Sequence, residues 1–235
     1  MNRFIHATPA TRVVFGTGSR REVAAEVELL GAARALLIGG GHESGVLAEI
    51  SAALGARLAG TFGEVVMHVP VEAAQRGVEA ARTAGVDLLI PVGGGSAVGM
   101  AKAIARELGT AILAVATTYA GSEMTPIWGL TENARKVTGR DLGVLPRTVI
   151  YDPELTLTLP AGLSANSEMN ALAHLVEGLG ANTPLRALGL PEAALDEVVA
   201  QVVDADPVNP RRVDAEGVRE LLAQAYAGGA PAPIR

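Results

Sequence analysis

Asp87-Leu88-Leu89-Ile90-Pro91-Val92-Gly93-Gly94-Gly95-Ser96 is a short apolar run that stops on three glycines and a serine. A run of this kind marks a strand buried on both faces, as in a parallel sheet. The Ala-rich amphipathic stretch over 97–108 predicts a helix directly after it. A strand–glycine–helix unit gathers backbone N–H groups and the positive end of a helix dipole, a setting that attracts phosphate. Two readings of the turn stay open: a phosphate loop with Gly93, Gly94, Gly95 and Ser96 as contacts, or a tight connection without a ligand. The dinucleotide fingerprint G-x-G-x-x-G is not met, because the sixth position counted from Gly93 is Val98.

The same alternation extends in both directions from this unit. Strands are expected at Arg12–Phe15, Ala35–Ile38, Val65–Met67, Ala111–Val115 and Thr148–Tyr151, with helices over 20–30, through Leu47 and Leu54, and over 71–84. Ser19 and Glu22 have the spacing of a capping box for the first helix. Ile127–Leu130 and Arg135–Thr138 form a candidate hairpin. Strands alternating with helices imply an α/β fold with a doubly wound parallel sheet. After Pro160 only helical spacing is left, over 164–180, 191–204 and 214–226. The expected division is an α/β nucleotide-binding domain over 1–160 and an abbreviated helical domain over 161–235.

Composition narrows the function classes. The 235 residues are 49% hydrophobic and 19% charged, which excludes a disordered chain. A net charge of −6 argues against nucleic acid or an anionic membrane surface as partner. No apolar run is long enough to span a bilayer, and the N-terminal residues lack a signal-peptide core. The absence of cysteine rules out disulfides and thiolate chemistry and fits a cytoplasmic protein.

Three further segments carry candidate chemistry. Thr117-Thr118-Tyr119-Ala120-Gly121-Ser122-Glu123 gathers hydroxyls after a buried strand, where open α/β sheets bind ligands; a solvated loop is the alternative. Gly39-Gly40-Gly41-His42 reads equally as a second phosphate turn or a linker, with His42 exposed. Asn170 and His174 sit at i and i+4 on one helix face. A carboxylate at the first position would make half of a metal site, but an amide is a poor ligand for a transition metal, and no histidine follows His174.

Taken together, Gly93–Ser96 with Ala101-Lys102-Ala103-Ile104-Ala105, Thr117–Glu123 continuing to Gly129, Tyr151-Asp152-Pro153 and Met169–His174 resemble the iron-containing alcohol dehydrogenase superfamily, most closely its maleylacetate reductase branch. Asn170, where metal-dependent members carry Asp, points to the same branch. The resemblance implies a dehydroquinate-synthase-like fold and NAD(P)H-dependent reduction of maleylacetate to 3-oxoadipate in aromatic-compound catabolism. It implies NAD or NADP as cofactor, no metal, and a small dicarboxylate substrate. It also implies cofactor contacts from Gly93, Gly94, Gly95, Ser96, Thr117, Thr118, Ser122 and Lys136, with His174 and Asn170 as catalytic residues. The match is to residues 1–180. Beyond it, the passage from Val176–Asn182 to Pro184–Pro191 reads as though the middle of the family's helical domain were missing. Two other functions are compatible with that shortening: a repurposed enzyme on the same scaffold, and a non-catalytic dinucleotide-binding protein. Gly39–Gly41 after the second strand puts no acid in the way of a 2′-phosphate, so both dinucleotides are expected to bind. A homodimer is expected, with the edge strand near Val13–Phe15 as one contact.

Overall fold

The computed structural model describes residues 11–132, 135–160, 162–164, 167–168, 186, 191–204 and 214–227. The chain divides into two compact units, Met1–His174 and Leu175–Arg235. In the first unit, six parallel strands form one sheet: β1 (Arg12–Phe15), β2 (Ala35–Ile38), β3 (Leu58–Phe62), β4 (Leu88–Gly93), β5 (Ala111–Ala116) and β8 (Thr148–Tyr151). Their spatial order is β1-β8-β5-β4-β2-β3. The strands β6 (Ile127–Glu132) and β7 (Arg135–Arg140) make a separate antiparallel hairpin, longer than the sequence pattern suggests.

Side chains alternate across the sheet with the strand period of two. Leu36, Ile38, Leu89, Ile112 and Ala114 pack with helices α3 (Val71–Thr83) and α4 (Gly95–Leu108). Leu37, Ile90, Val92, Leu113 and Val115 pack with α1 (Val23–Leu29) and α2 (Ser44–Leu54) on the other face. The sheet is therefore doubly wound. The chain leaves β2 outward to β3, then returns past β2 and builds β4, β5 and β8 in the opposite direction. That reversal opens a crevice between the carboxyl ends of β2 and β4, the place where open α/β sheets bind ligands.

Two local expectations are corrected. The third strand is Leu58–Phe62, not Val65–Met67. Gly55, at φ 51°, ends α2 early enough for Leu58 to pair with Ala35, so the chain has left the sheet edge by Gly63. Val65–Met67 instead forms part of the loop that leads to α3. The Ser19–Glu22 capping box does not form either. Ser19–Glu22 is a 3₁₀ turn, and the Ser19 hydroxyl donates to the Tyr151 carbonyl at 3.1 Å. That contact ties the turn after β1 to the end of β8.

The second unit contains α5 (Ala194–Asp204) and α6 (Ala215–Ala227), which pack against each other. Val199 is buried, and Arg219 pairs with Asp196 at 2.8 Å. The helix expected over 164–180 lies largely outside the described residues. Among the described residues, no helix is long and apolar enough to cross a membrane.

One buried ion pair closes the sheet. The Asp152 carboxylate, with its side chain fully buried, accepts from Arg20 Nη1 at 2.7 Å and from the backbone N–H of Gly18, Glu154 and Arg20. Burial pushes the Asp152 carboxyl up, but Arg20 and these N–H groups outweigh it and hold it below the usual carboxylate range. Its stabilising effect is therefore complete above about pH 4, the unfolded value, and is lost as pH falls through the folded one. Asp152→Asn is expected to cost about 2–3 kcal/mol at neutral pH and to flatten the acid limb of the stability profile. Urea denaturation across pH measures both effects. An acid limb unchanged from the parent would remove Asp152 as its source.

Candidate functional site

The crevice at the topological switch point is a cavity of about 720 Å³. Its floor is the turn from β4 into α4. Gly93 has φ 151°, and Gly94 caps α4 without any side-chain hydrogen bond. The first helical bond runs from Val98 N–H to the Gly94 carbonyl, which leaves the N–H groups before it directed out of the helix. The first turn of α4 carries no acidic residue. No side chain of that turn offsets the positive end of the helix, and the Glu43 carboxylate lies to its β2 side on the same cavity.

Glycine is required here for packing. A Cβ on Gly94 would stand 2.8 Å from Thr118 Cγ2 and Oγ1, and one on Gly93 would stand 2.9 Å from Ala97 Cβ. The turn backbone at Gly94 thus lies directly against the Thr118 side chain.

Of the residues singled out from sequence, Gly93, Gly94, Gly95, Ser96, Thr118, Ser122 and Lys136 all line this one cavity. Thr117 does not; it is buried, and its N–H donates to the Gly93 carbonyl at 3.2 Å. Ser122 Oγ is buried without a hydrogen-bond partner among the described residues. An unmatched hydroxyl beside a bare helix terminus fits a ligand rich in phosphate and ribose oxygens. His42 is exposed, as expected, yet it also lies on the cavity wall. Asn170 and His174 lie outside the described residues. Among the described residues no three His, Asp or Glu side chains converge as metal ligands.

Sequence reasoning assigned no role to the group that holds the cavity wall in place. Lys102 is 1% exposed in the middle of α4. Its ammonium donates to the carbonyls of Ser122, Thr125 and Ile127 at 2.6, 2.7 and 2.7 Å. Burial pulls its pKa down to about 7, with the Glu123 carboxylate opposing. Three carbonyls nevertheless need three N–H donors, and only the ammonium has three. The geometry therefore favours the charged form at neutral pH. Glu123 is buried as well and accepts from the Tyr151 hydroxyl at 2.7 Å. Burial, then Glu123, push that phenol's pKa up. The signal in the sequence was a lone Lys in the otherwise uncharged run Ala97–Ala105.

The loop before α3 forms the opposite wall. His68 and Val69 adopt left-handed backbone, φ 64° and 47°, a region that costs a β-branched residue on the order of 1–2 kcal/mol. Thr131 of β6 compensates. Its hydroxyl donates to the His68 carbonyl at 2.8 Å, and its N–H to the Val69 carbonyl at 3.0 Å. The hairpin is thereby fastened to both walls, with Trp128 and Lys136 facing the cavity.

The family model for iron-containing alcohol dehydrogenase matches residues 10–153. The chain is 46% identical over 190 residues to the maleylacetate reductase of Burkholderia cepacia, covering 81% of this chain and 54% of that protein. It is 48% identical over 179 residues to the maleylacetate reductase of Rhizobium sp. strain MTP-10005, covering 76% and 51%. The crystal structure of maleylacetate reductase from that Rhizobium strain aligns with a TM-score of 0.72 at 41% identity, over 97% of this chain and 65% of that one. The chain spans about half the length of the curated relatives it matches. These likenesses put the α/β architecture in the dehydroquinate-synthase-like class.

Lys102→Met should strip three carbonyls, that of Thr125 buried and those of Ser122 and Ile127 partly so, of their donor and cost about 3 kcal/mol or more. Trp128 is the only tryptophan in the sequence and adjoins Ile127, so its emission reports on this wall directly. A red shift under native conditions is expected with the loss of stability. Unchanged emission and an unchanged urea midpoint would mean that other contacts hold the loop.

Proposed function

The chain belongs to the iron-containing alcohol dehydrogenase family, and on that premise we propose that it is an NAD(P)H-dependent reductase of the maleylacetate type. The observation that carries the reading is the uncapped, acid-free start of α4 at Gly93–Ser96, open to a cavity shared with Thr118, Ser122 and Lys136. The 44–48% identity to several maleylacetate reductases supports the choice of substrate, a small dicarboxylate reduced to 3-oxoadipate. Residues 1–160 would form the nucleotide-binding α/β domain and 161–235 an abbreviated helical domain.

In this reading the N–H groups at the start of α4 bind the pyrophosphate, and the glycines permit the close approach. Ser96, Thr118 and Ser122 offer hydroxyls to ribose and phosphate oxygens. Lys136, on the hairpin, adds a cation to the dinucleotide cleft. When bound, reduced nicotinamide supplies the hydride. Ile127 and Trp128 restrict water at the same wall. His174 is assigned as the proton donor and Asn170 as the group that orients it. The neutral amide of Asn170 is the argument for metal-independent turnover. A homodimer through the edge strand β1, where Val13 and Phe15 are exposed, and a cytoplasmic location complete the proposal.

Maleylacetate should drive oxidation of NADH or NADPH, followed by loss of nicotinamide absorbance. A pure chain that binds dinucleotide without turnover would overturn the assignment. Gly94→Val, by forcing Thr118 aside and blocking the approach, should weaken dinucleotide binding by about tenfold or more, about 1.4 kcal/mol. His174→Asn should lower the rate by about 10²–10⁴ with dinucleotide affinity nearly unchanged. A fall in melting temperature with the rate intact would instead make His174 a structural residue.

A further inference from the structure

The chain leaves β2 through Gly39-Gly40-Gly41, and an acid is absent from the positions immediately after the strand. The backbone changes what that spacing means. A 3₁₀ turn over Gly41–Glu43, closed by the Glu43 N–H to the Gly40 carbonyl at 3.3 Å, folds the chain back over the strand end. Glu43 is thereby carried to the crevice, where it lines the same cavity as Gly93, Gly94 and Ser96. Its Oε1 is 3.7 Å from where a Cβ on Gly93 would stand, and its Oε2 is 3.5 Å from the equivalent point on Gly40. The carboxylate therefore spans the ends of β2 and β4 at the switch point.

Among the described residues the Glu43 side chain has no hydrogen bond or ion pair. An ionised carboxylate only accepts, so this one is suited to hydroxyl donors from a ligand. A ribose 2′,3′-diol presents two such donors at one edge. A 2′-phosphate presents none at neutral pH and brings about −1.5 to −2 charge against it.

We propose that Glu43 is a specificity-determining residue that selects NADH over NADPH, by accepting from the adenosine ribose hydroxyls and repelling a 2′-phosphate. The proposal rests on the nucleotide reading above and narrows it. It adds a preference to the expectation, drawn from the three glycines after β2, that both dinucleotides bind. Because the turn brings the acid back over the strand, its effective position is at the strand end.

Titrations of the 235-residue chain with NADH and with NADPH, at low and high salt, test it. The parent should prefer NADH by roughly tenfold or more, the range expected for one like-charge contact in a partly enclosed cleft. Glu43→Gln should reduce that preference by about tenfold, chiefly through tighter NADPH binding, and the salt dependence of the preference should shrink with it. Glu43→Ala should do the same while weakening NADH, since it removes the acceptor as well as the charge. Thermal midpoints should stay with the parent's, because the side chain has no partner to lose. Equal affinities for the two dinucleotides in the parent, or an equal gain for both in Glu43→Gln, would overturn the proposal and leave the nucleotide site standing. Binding of neither dinucleotide would overturn the site reading itself, and this proposal with it.

Discussion

Three backbone carbonyls of one loop converge on a single ammonium, that of Lys102, and the wall of the cavity takes its position from that convergence. Withdrawing a lysine head from water costs several kcal/mol, and each charge-assisted hydrogen bond returns about 1.5–3 kcal/mol. The two sides nearly cancel, so the contribution to net stability is small. The gain is in position. Ser122, Thr125 and Ile127 are fixed to the same helix whose first turn forms the floor. The hydroxyl loop and α4 are therefore tied to each other directly. Glu123 and the Tyr151 hydroxyl extend that tie to the end of β8.

The polarity of the cavity follows from the same economy of groups. Its floor carries an uncapped helix terminus without acids, its hydroxyl wall leaves Ser122 Oγ unmatched, and its β2 side carries one unpaired carboxylate. Positive potential at the floor and negative charge at one rim suit a ligand that carries anionic oxygens next to hydroxyl donors. A dinucleotide, as proposed above, has both, with its pyrophosphate flanked by ribose hydroxyls.

How much of this was legible in the sequence depended on the range of the interaction. The β4–Gly93–α4 unit was readable because strand, turn and helix are contiguous and each has its own local signature. The hydroxyl loop was readable for the same reason. Val65–Met67 misled because β-branched residues resemble a strand wherever they fall, whereas the true edge strand, Leu58-Ala59-Gly60-Thr61-Phe62, is set by its register against Ala35–Ile38. Ser19 had the spacing of a cap, but the Tyr151 carbonyl, distant in sequence, takes its hydroxyl. Lys102 and Glu43 were missed for opposite reasons. One is a charge in a buried helix whose acceptors lie on another element, and the other is an acid whose reach depends on a 3₁₀ turn.

The strand order has a temporal consequence. Among the described residues β1 pairs only with β8, so the first strand of this sheet has no place in it until the last has been formed. The segments β2 to β5 can collapse around neighbouring strands with short loop closures, while β1 waits for a contact that spans most of the unit. Long-range pairings of this kind are reached late, after the entropy of a large loop has been lost. On a ribosome adding roughly 5–20 residues per second, β1 emerges many seconds before its partner. During that interval the Arg20 side chain and the N–H groups of Gly18 and Arg20 lack the buried carboxylate that later receives them. Asp152 follows β8 directly in the chain, so the strand that completes the sheet also brings the anion that locks its first strand in place.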